Sequence, residues 1–190
     1  MTSGRAYPNH PADDVWKTKG GDVTEHTNRE IERKFLVARV PEGLLADSGK
    51  LIEQGYLVAD AEGLEVRLRR KDGRCFQTVK SGQGLVRTEV EIELSADQFA
   101  ALWPLTAERR LVKHRHRLTA AGRSCELDVF AGPLLGLIVA EVEFASLEAA
   151  LGFAPPEWFA VEVTDDVRFR NSHLAVHGLP RQQSPDRETR

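Results

Sequence analysis

The sequence predicts an α+β, mainly β fold: an eight-stranded antiparallel barrel closed into a tunnel, with helices packed on its outside. Three observations predict it. Eight strand-length segments alternate apolar and polar residues with a period of two, which sends successive side chains to opposite faces of a sheet. Their polar positions carry repeated doublets, Glu30-x-Glu32, Arg67-x-Arg69, Glu89-x-Glu91 and Lys113-x-Arg115, where a solvated face would mix in Ser, Thr and Gln, and such doublets need partners. Turn signals follow closely enough for neighbouring strands to pair antiparallel, and closing the sheet removes its edges. The charged face then lines a hydrated interior, and the apolar face is left for helices to cover.

The elements follow in order. Glu30–Val37 places Glu30, Glu32 and Lys34 on one face and Ile31, Phe35 and Val37 on the other, with Arg33 a paired surface residue on the apolar side. Pro41 opens a short helix, because proline is tolerated in a first helical turn. Leu51–Val58, Leu64–Arg70 and Cys75–Lys80 are strands, the last two joined by an Asp72-Gly73 hairpin signal. Ser81-Gly82-Gln83-Gly84 turns into the strand Arg87–Leu94, and Ser95 with Gln98 forms a capping box for the helix Ala96–Trp103, which Pro104 ends. Leu111–Leu118 and Arg123–Phe130 are joined through Gly122, and Leu137–Phe144 is the eighth strand. Beyond the Pro155-Pro156 break come a short Val161–Val163 segment and a helix from Asn171 to Val176 that Gly178 stops.

With 190 residues and 41% hydrophobic content, the chain supports one domain with a core of its own. The net charge of -3 excludes a nucleic-acid binder working through bulk attraction, so any anion site is a focused pocket. Residues 1–28 lack a hydrophobic run and read as a flexible leader, 29–180 as the domain, and 181–190 as a flexible tail. No apolar stretch approaches the ~20 residues needed to cross a bilayer, so a cytoplasmic protein without membrane partners is expected. Cys75 and Cys125 fall on apolar strand faces as free thiols, which leaves no disulfide or zinc framework.

Glu30-x-Glu32-x-Lys34, Gln54-Gly55-Tyr56-Leu57, Val66-Arg67-Leu68-Arg69, Thr78-Val79-Lys80 and Arg87-x-Glu89-x-Glu91 together resemble the CYTH domain of the triphosphate tunnel metalloenzymes. Lys113-x-Arg115, Glu126-Leu127-Asp128-Val129-Phe130, Ala140-Glu141-Val142-Glu143-Phe144 and Glu162-Val163-Thr164-Asp165-Asp166 extend the resemblance over about residues 29–180. It implies an eight-stranded barrel, as the strand pattern does, and a single-domain type. It also implies hydrolysis of a triphosphate, most simply inorganic tripolyphosphate to pyrophosphate and phosphate, with Mg²⁺ or Mn²⁺. The alternatives it leaves are cyclisation of ATP to cyclic AMP, hydrolysis of nucleoside or thiamine triphosphate, and a non-catalytic polyphosphate-binding module. A homodimer stays open.

By the same resemblance, Lys34, Arg67, Arg69, Lys80, Arg87, Lys113 and Arg115 would bind phosphate, arginine as a fork and lysine as a point charge. Carboxylates beside a polyanion require cations between them. Glu30, Glu32 and Glu143 are the first choice for that role, with Glu141, Asp128, Glu126 and Glu89 for a second metal or a positioned water. A lysine whose pKa is depressed by crowding, Lys80 or Lys113, would activate the water, with Glu91 a competing choice. One departure stands out: where many family members carry a Tyr before the Asn near the last helix, this chain reads Arg168-Phe169-Arg170-Asn171 and lacks that hydroxyl.

Several other features favour packing over chemistry. His173 and His177, four apart on the last helix, lack a third ligand nearby in the sequence. His114 and His116 face away from Lys113 and Arg115, Gly82-x-Gly84 precedes no helix, and Trp103, Trp158 and Phe159 suit the apolar exterior. Arg117 continues the charged face near a strand end, with substrate contact and surface placement evenly balanced.

Overall fold

The structure is a computed structural model that describes residues 29–45, 47–60, 63–82 and 85–180. The expected leader at 1–28, the tail at 181–190 and half of the Ser81–Gly84 turn lie outside the described residues. Eight strands form the barrel: β1 (Arg29–Leu36), β2 (Lys50–Ala59), β3 (Glu65–Lys71), β4 (Arg74–Ser81), β5 (Val86–Leu94), β6 (Arg110–Ala120), β7 (Arg123–Phe130) and β8 (Ile138–Glu143). Every neighbouring pair is antiparallel and the sheet closes on itself.

The order around the barrel is β1-β5-β4-β3-β2-β6-β7-β8, the closed antiparallel barrel the strand pattern predicts, with β1 and the β2–β6 contact out of chain order. Two runs are sequential, β2 to β5 and β6 to β8. Strand β1 stands between them, held by β8 over Glu32 to Leu36 and by β5 over Arg29 to Ile31. Alternation along a strand fixes which face is buried and says nothing about which strand lies alongside.

A correction concerns the chain after Pro41, which makes a single turn closed by Leu44 N–H donating to the Pro41 carbonyl and no helix. Gly43 sits there at φ +76°, outside the helical region. The capping box of Ser95 and Gln98 is present and starts α1 (Ala96–Leu102), after which Pro104 tightens the chain into a 3-10 turn. Further helices are α2 (Leu147–Leu151) and α3 (Asn171–His177), which ends at Gly178 with φ +72°.

The hydrophobic core lies outside the barrel wall. Phe99 of α1 stacks on Trp103 and covers Leu68 and Cys75. Leu174 of α3 packs with Leu111, Phe130, Leu134 and Val139. The chain after β8 wraps Phe144, Phe153 and Phe159 onto Phe35, Leu127 and Val142, with Trp158 against them. Cys75 and Cys125 are buried free thiols, as their apolar positions predict. Among the described residues no helix is long and apolar enough to cross a membrane.

The return segment after Phe159 is tied by backbone hydrogen bonds to the edge of β1 that β5 leaves free beyond Ile31. Leu36 N–H donates to Val161, Ala160 N–H to Leu36 and Val163 N–H to Lys34, each at 2.8 Å. Arg33 clamps it from the apolar side, holding Glu162 at 2.5 Å and the Ala150 and Phe153 carbonyls at 2.9 Å. That ladder delivers residues 163–171 to one rim of the barrel.

Candidate active site

Alternation turns the charged side of each strand into one central cavity. Glu30, Glu32 and Lys34 enter from β1, Glu65, Arg67, Arg69 and Lys71 from β3, and Lys80, Arg87 and Glu89 from β4 and β5. Lys113, Arg115, Arg117, Glu126, Glu141 and Glu143 close the other side. The like-facing charges inferred from the sequence therefore converge, and Arg117 joins them.

The cavity holds two ionic clusters. In the first, Lys80 Nζ lies 2.5 Å from both Glu30 and Glu89, and Arg87 pairs with Glu32 and reaches Glu30 at 3.7 Å. In the second, Arg115 grips both oxygens of Asp128 at 2.6 Å, pairs with Glu126, and donates to Glu141 at 2.8 Å. Lys113 donates to the same Asp128, and Lys34 binds Glu141 at 2.9 Å. Asp128 is fully buried behind the basic groups, so it supports them from within the wall.

Arg67 is held differently. Its carboxylate neighbour, Glu89, is 3.9 Å away, and its Nε is buried without a hydrogen-bond partner among the described residues. Arg69 Nε is in the same condition, although its Nη2 holds Glu91 at 2.5 Å. Two buried guanidinium donors without acceptors suit an anionic ligand, because a buried polar group left unsatisfied costs about 1–3 kcal/mol.

The electrostatics separate the titratable groups. Burial pushes the Glu30 carboxyl up, and the adjacent Glu32 adds to the rise. Burial pushes Glu141 the same way, yet Lys34, Arg115 and Lys113 outweigh it and hold its carboxyl well below the usual range. Burial lowers the Lys113 ammonium to about 8, only partly offset by Asp128. Lys34 is also fully enclosed, but Glu141 and Glu32 carry its pKa above the ordinary value.

Glu91 lies apart from the cavity lining, its carboxylate taken by Arg69 and by the Thr78 hydroxyl at 2.8 Å. Glu143 reaches the cavity on an exposed rung directly opposite Glu32. Among the described residues no three carboxylate, imidazole or thiolate groups stand drawn together as a finished metal site. His173 and His177 lie with ring centres 4.2 Å apart and planes tilted by 41°, outside the tunnel, and His116 turns outward to Asp47 at 3.2 Å.

The sequence reading gave no role to several lining residues. Gln54 donates to the Tyr56 hydroxyl at 2.8 Å inside β2, and Ser172 of α3 donates to Glu65. Thr164, Asp166, Arg170 and Asn171 complete one rim. Glu65 shares the period of Arg67 and Arg69 and was legible as a tunnel position. The rim residues come from an irregular segment, where no periodicity exists to reveal a facing.

No family model matches the chain. An inorganic triphosphatase of Nitrosomonas europaea is 47% identical over 148 residues, 77% of this chain and 97% of that relative. One of Acetivibrio thermocellus is 34% identical over 148 residues, 77% of this chain and 92% of its own length. A crystal structure of an inorganic triphosphatase matches with a TM-score of 0.59 and 46% identity, covering 77% of this chain and 94% of that one. A second crystal structure, of a hypothetical protein, matches with a TM-score of 0.60 and 45% identity, covering 80% of this chain and 99% of that one.

Proposed function

Because the chain belongs to the family of the inorganic triphosphatases that it matches, we propose that its tunnel, of the CYTH type, binds a linear triphosphate and hydrolyses it, with inorganic tripolyphosphate giving pyrophosphate and phosphate. The observation that carries this reading is the pair of buried, acceptorless Nε donors of Arg67 and Arg69. Phosphate oxygens supply what those donors lack, and charge-assisted contacts to arginine are the strong, directional ones. Lys34, Lys80, Arg87, Lys113 and Arg115 present further positive charge around the same space.

Each of those five cations is already paired with a carboxylate. The pairing offsets each cation's charge within the wall, so substrate enters by exchanging partners and the displaced carboxylates need a new counter-charge. Glu30, Glu32 and Glu143 fit a divalent cation on this ground. They are hard oxygen donors, Glu32 and Glu143 face each other across a rung, and like-charge crowding and burial already push the Glu30 carboxyl up. Glu89, Glu126, Glu141 and Asp128 would hold the basic groups or a second ion. When bound, Mg²⁺ or Mn²⁺ supplies charge neutralisation on the phosphate oxygens.

Water attacks the terminal phosphorus in line: its oxygen bonds to phosphorus as the bridging P–O bond breaks, and the bond's electron pair leaves on the pyrophosphate oxygen. The water's proton needs a base. Lys113 suits that role better than Lys80, because burial leaves its amine partly neutral near pH 8, while Lys80 sits between two carboxylates. Arg115, locked on Asp128, holds the neighbouring charge fixed as the transition state develops.

The test is a panel of tripolyphosphate, ATP and thiamine triphosphate with Mg²⁺ or Mn²⁺, with product analysis. Release of equal pyrophosphate and phosphate from tripolyphosphate, faster than from the other two, is expected. Cyclic AMP from ATP, or saturable binding without turnover, would replace the reading with a cyclase or a binding module.

A further inference from the structure

Six arginines line the tunnel, and five of them have a carboxylate oxygen nearby, the loosest being Arg67 to Glu89 at 3.9 Å. Arg170 is the sixth. Among the described residues no carboxylate pairs with it, and the acid four residues before it and the acid that Ser172 contacts both have other partners. Asp166 is taken by Arg168 at 2.6 Å, and Glu65 accepts from the Ser172 hydroxyl.

The place of Arg170 gives this a direction. It precedes α3, which is anchored by Ser172 on the first residue of β3 and by Leu174 on Leu111 and Phe130, at the start of β6 and the end of β7. In an antiparallel barrel those strand ends share one rim with the end of β1, the end of β4 and the start of β5. Lys34, Lys80, Arg87 and Lys113 all sit toward that rim, so most of the cations suited to phosphate lie in the half of the tunnel that α3 overhangs. Lys71, the other tunnel cation without a paired carboxylate among the described residues, is at the last residue of β3 and hence at the opposite rim.

We propose that Arg170 is a further substrate-binding residue, whose guanidinium closes on the end phosphate of the triphosphate at the rim covered by α3. An unpaired guanidinium gives up no internal ion pair when it takes a phosphate, unlike Lys80 or Arg115, and its planar fork matches two oxygens of one terminal group. The assignment rests on the triphosphatase reading above. Arg170 also stands two residues before Ser172, so its approach to the end phosphate is fixed by the same contacts that seat α3.

The test compares Arg170→Ala, Arg170→Lys and Lys71→Ala with the unaltered full chain. Steady-state hydrolysis of tripolyphosphate and calorimetric binding of tripolyphosphate to the metal-free protein are both measured, with thermal melts to verify folding. R170A is expected to raise KM and weaken binding about tenfold, with kcat within about twofold, and R170K to recover part of the loss. K71A is expected to change neither by more than about twofold. R170A with unaltered KM and binding would overturn the proposal, as would K71A weakening binding while R170A does not. Binding is read without turnover, so an unaltered chain that binds but hydrolyses nothing would refute the triphosphatase reading while leaving Arg170 tested.

Discussion

Lys113 donates its Nζ proton to a carboxylate that is itself fully buried, Asp128, and Arg115 closes on both oxygens of the same group. A single acid in the wall thus holds two tunnel cations from behind. Asp128→Asn removes the charge that both cations answer. It is expected to cost about 3–5 kcal/mol of stability, read by denaturant unfolding, because two buried cations lose their counter-ion.

The same substitution has a kinetic signature. Asp128 raises the Lys113 pKa against the larger effect of burial, so removing it lowers that pKa further below about 8. A base acts when neutral, and the rising limb of kcat with pH is therefore expected to move to lower pH in D128N. A limb that stayed in place would exclude Lys113 as the base.

Glu30 carries the opposite prediction. Its folded pKa is raised, so its contribution to stability is fully present below the unfolded pKa and is lost as pH rises through the folded value. Near pH 7 the ionised carboxylate is thus a liability to the fold. Glu30→Gln is expected to raise Tm by a few degrees, ~2–4 °C, while lowering activity and increasing the Mg²⁺ or Mn²⁺ needed for half-maximal rate. A lower Tm with unaltered metal dependence would contradict both halves.

Glu141 and Asp128 govern the acid side. Their folded pKa values are depressed, Glu141 well below its ordinary 4.5, so the stability they contribute is present above the unfolded values and is lost as pH falls through the folded ones. Unfolding is therefore expected to set in below about pH 4, with the Lys34–Glu141 and Arg115–Asp128 pairs breaking together. Thermal melts between pH 6 and pH 3 measure it, and Glu141→Gln should flatten the slope.

Arg33 faces away from the tunnel yet bears on it, since its clamp on Glu162, Ala150 and Phe153 holds the segment that carries Thr164 to the rim. Arg33→Met is expected to cost about 1–3 kcal/mol, because it removes charge-assisted bonds to two carbonyls and a carboxylate, and the guanidinium lying over the Phe35 ring, while keeping an apolar stem. Chemical denaturation reads the loss directly.

The strand alternation was legible in the residue order because burial in a β-sheet repeats every two positions, and nothing beyond neighbouring residues is needed to see it. That local rule gave eight strands, assigned Glu30, Glu32, Lys34, Arg67, Arg69, Arg87, Lys113 and Arg115 to one face, and placed Cys75 and Cys125 on the other. The capping box at Ser95 and the Gly178 stop were equally local.

What the chain order could not hold is which strand lies beside which. The insertion of β1 between β5 and β8 brings Glu32 opposite Glu143 and Glu30 next to Lys80, residues far apart in sequence. The irregular return after Phe159, with no period to read, supplies Thr164, Asp166 and Arg170 to the rim. Alternation decided that charge would face inward; only closure of the barrel decided which charges meet, because ion pairing depends on distance through space and periodicity carries none.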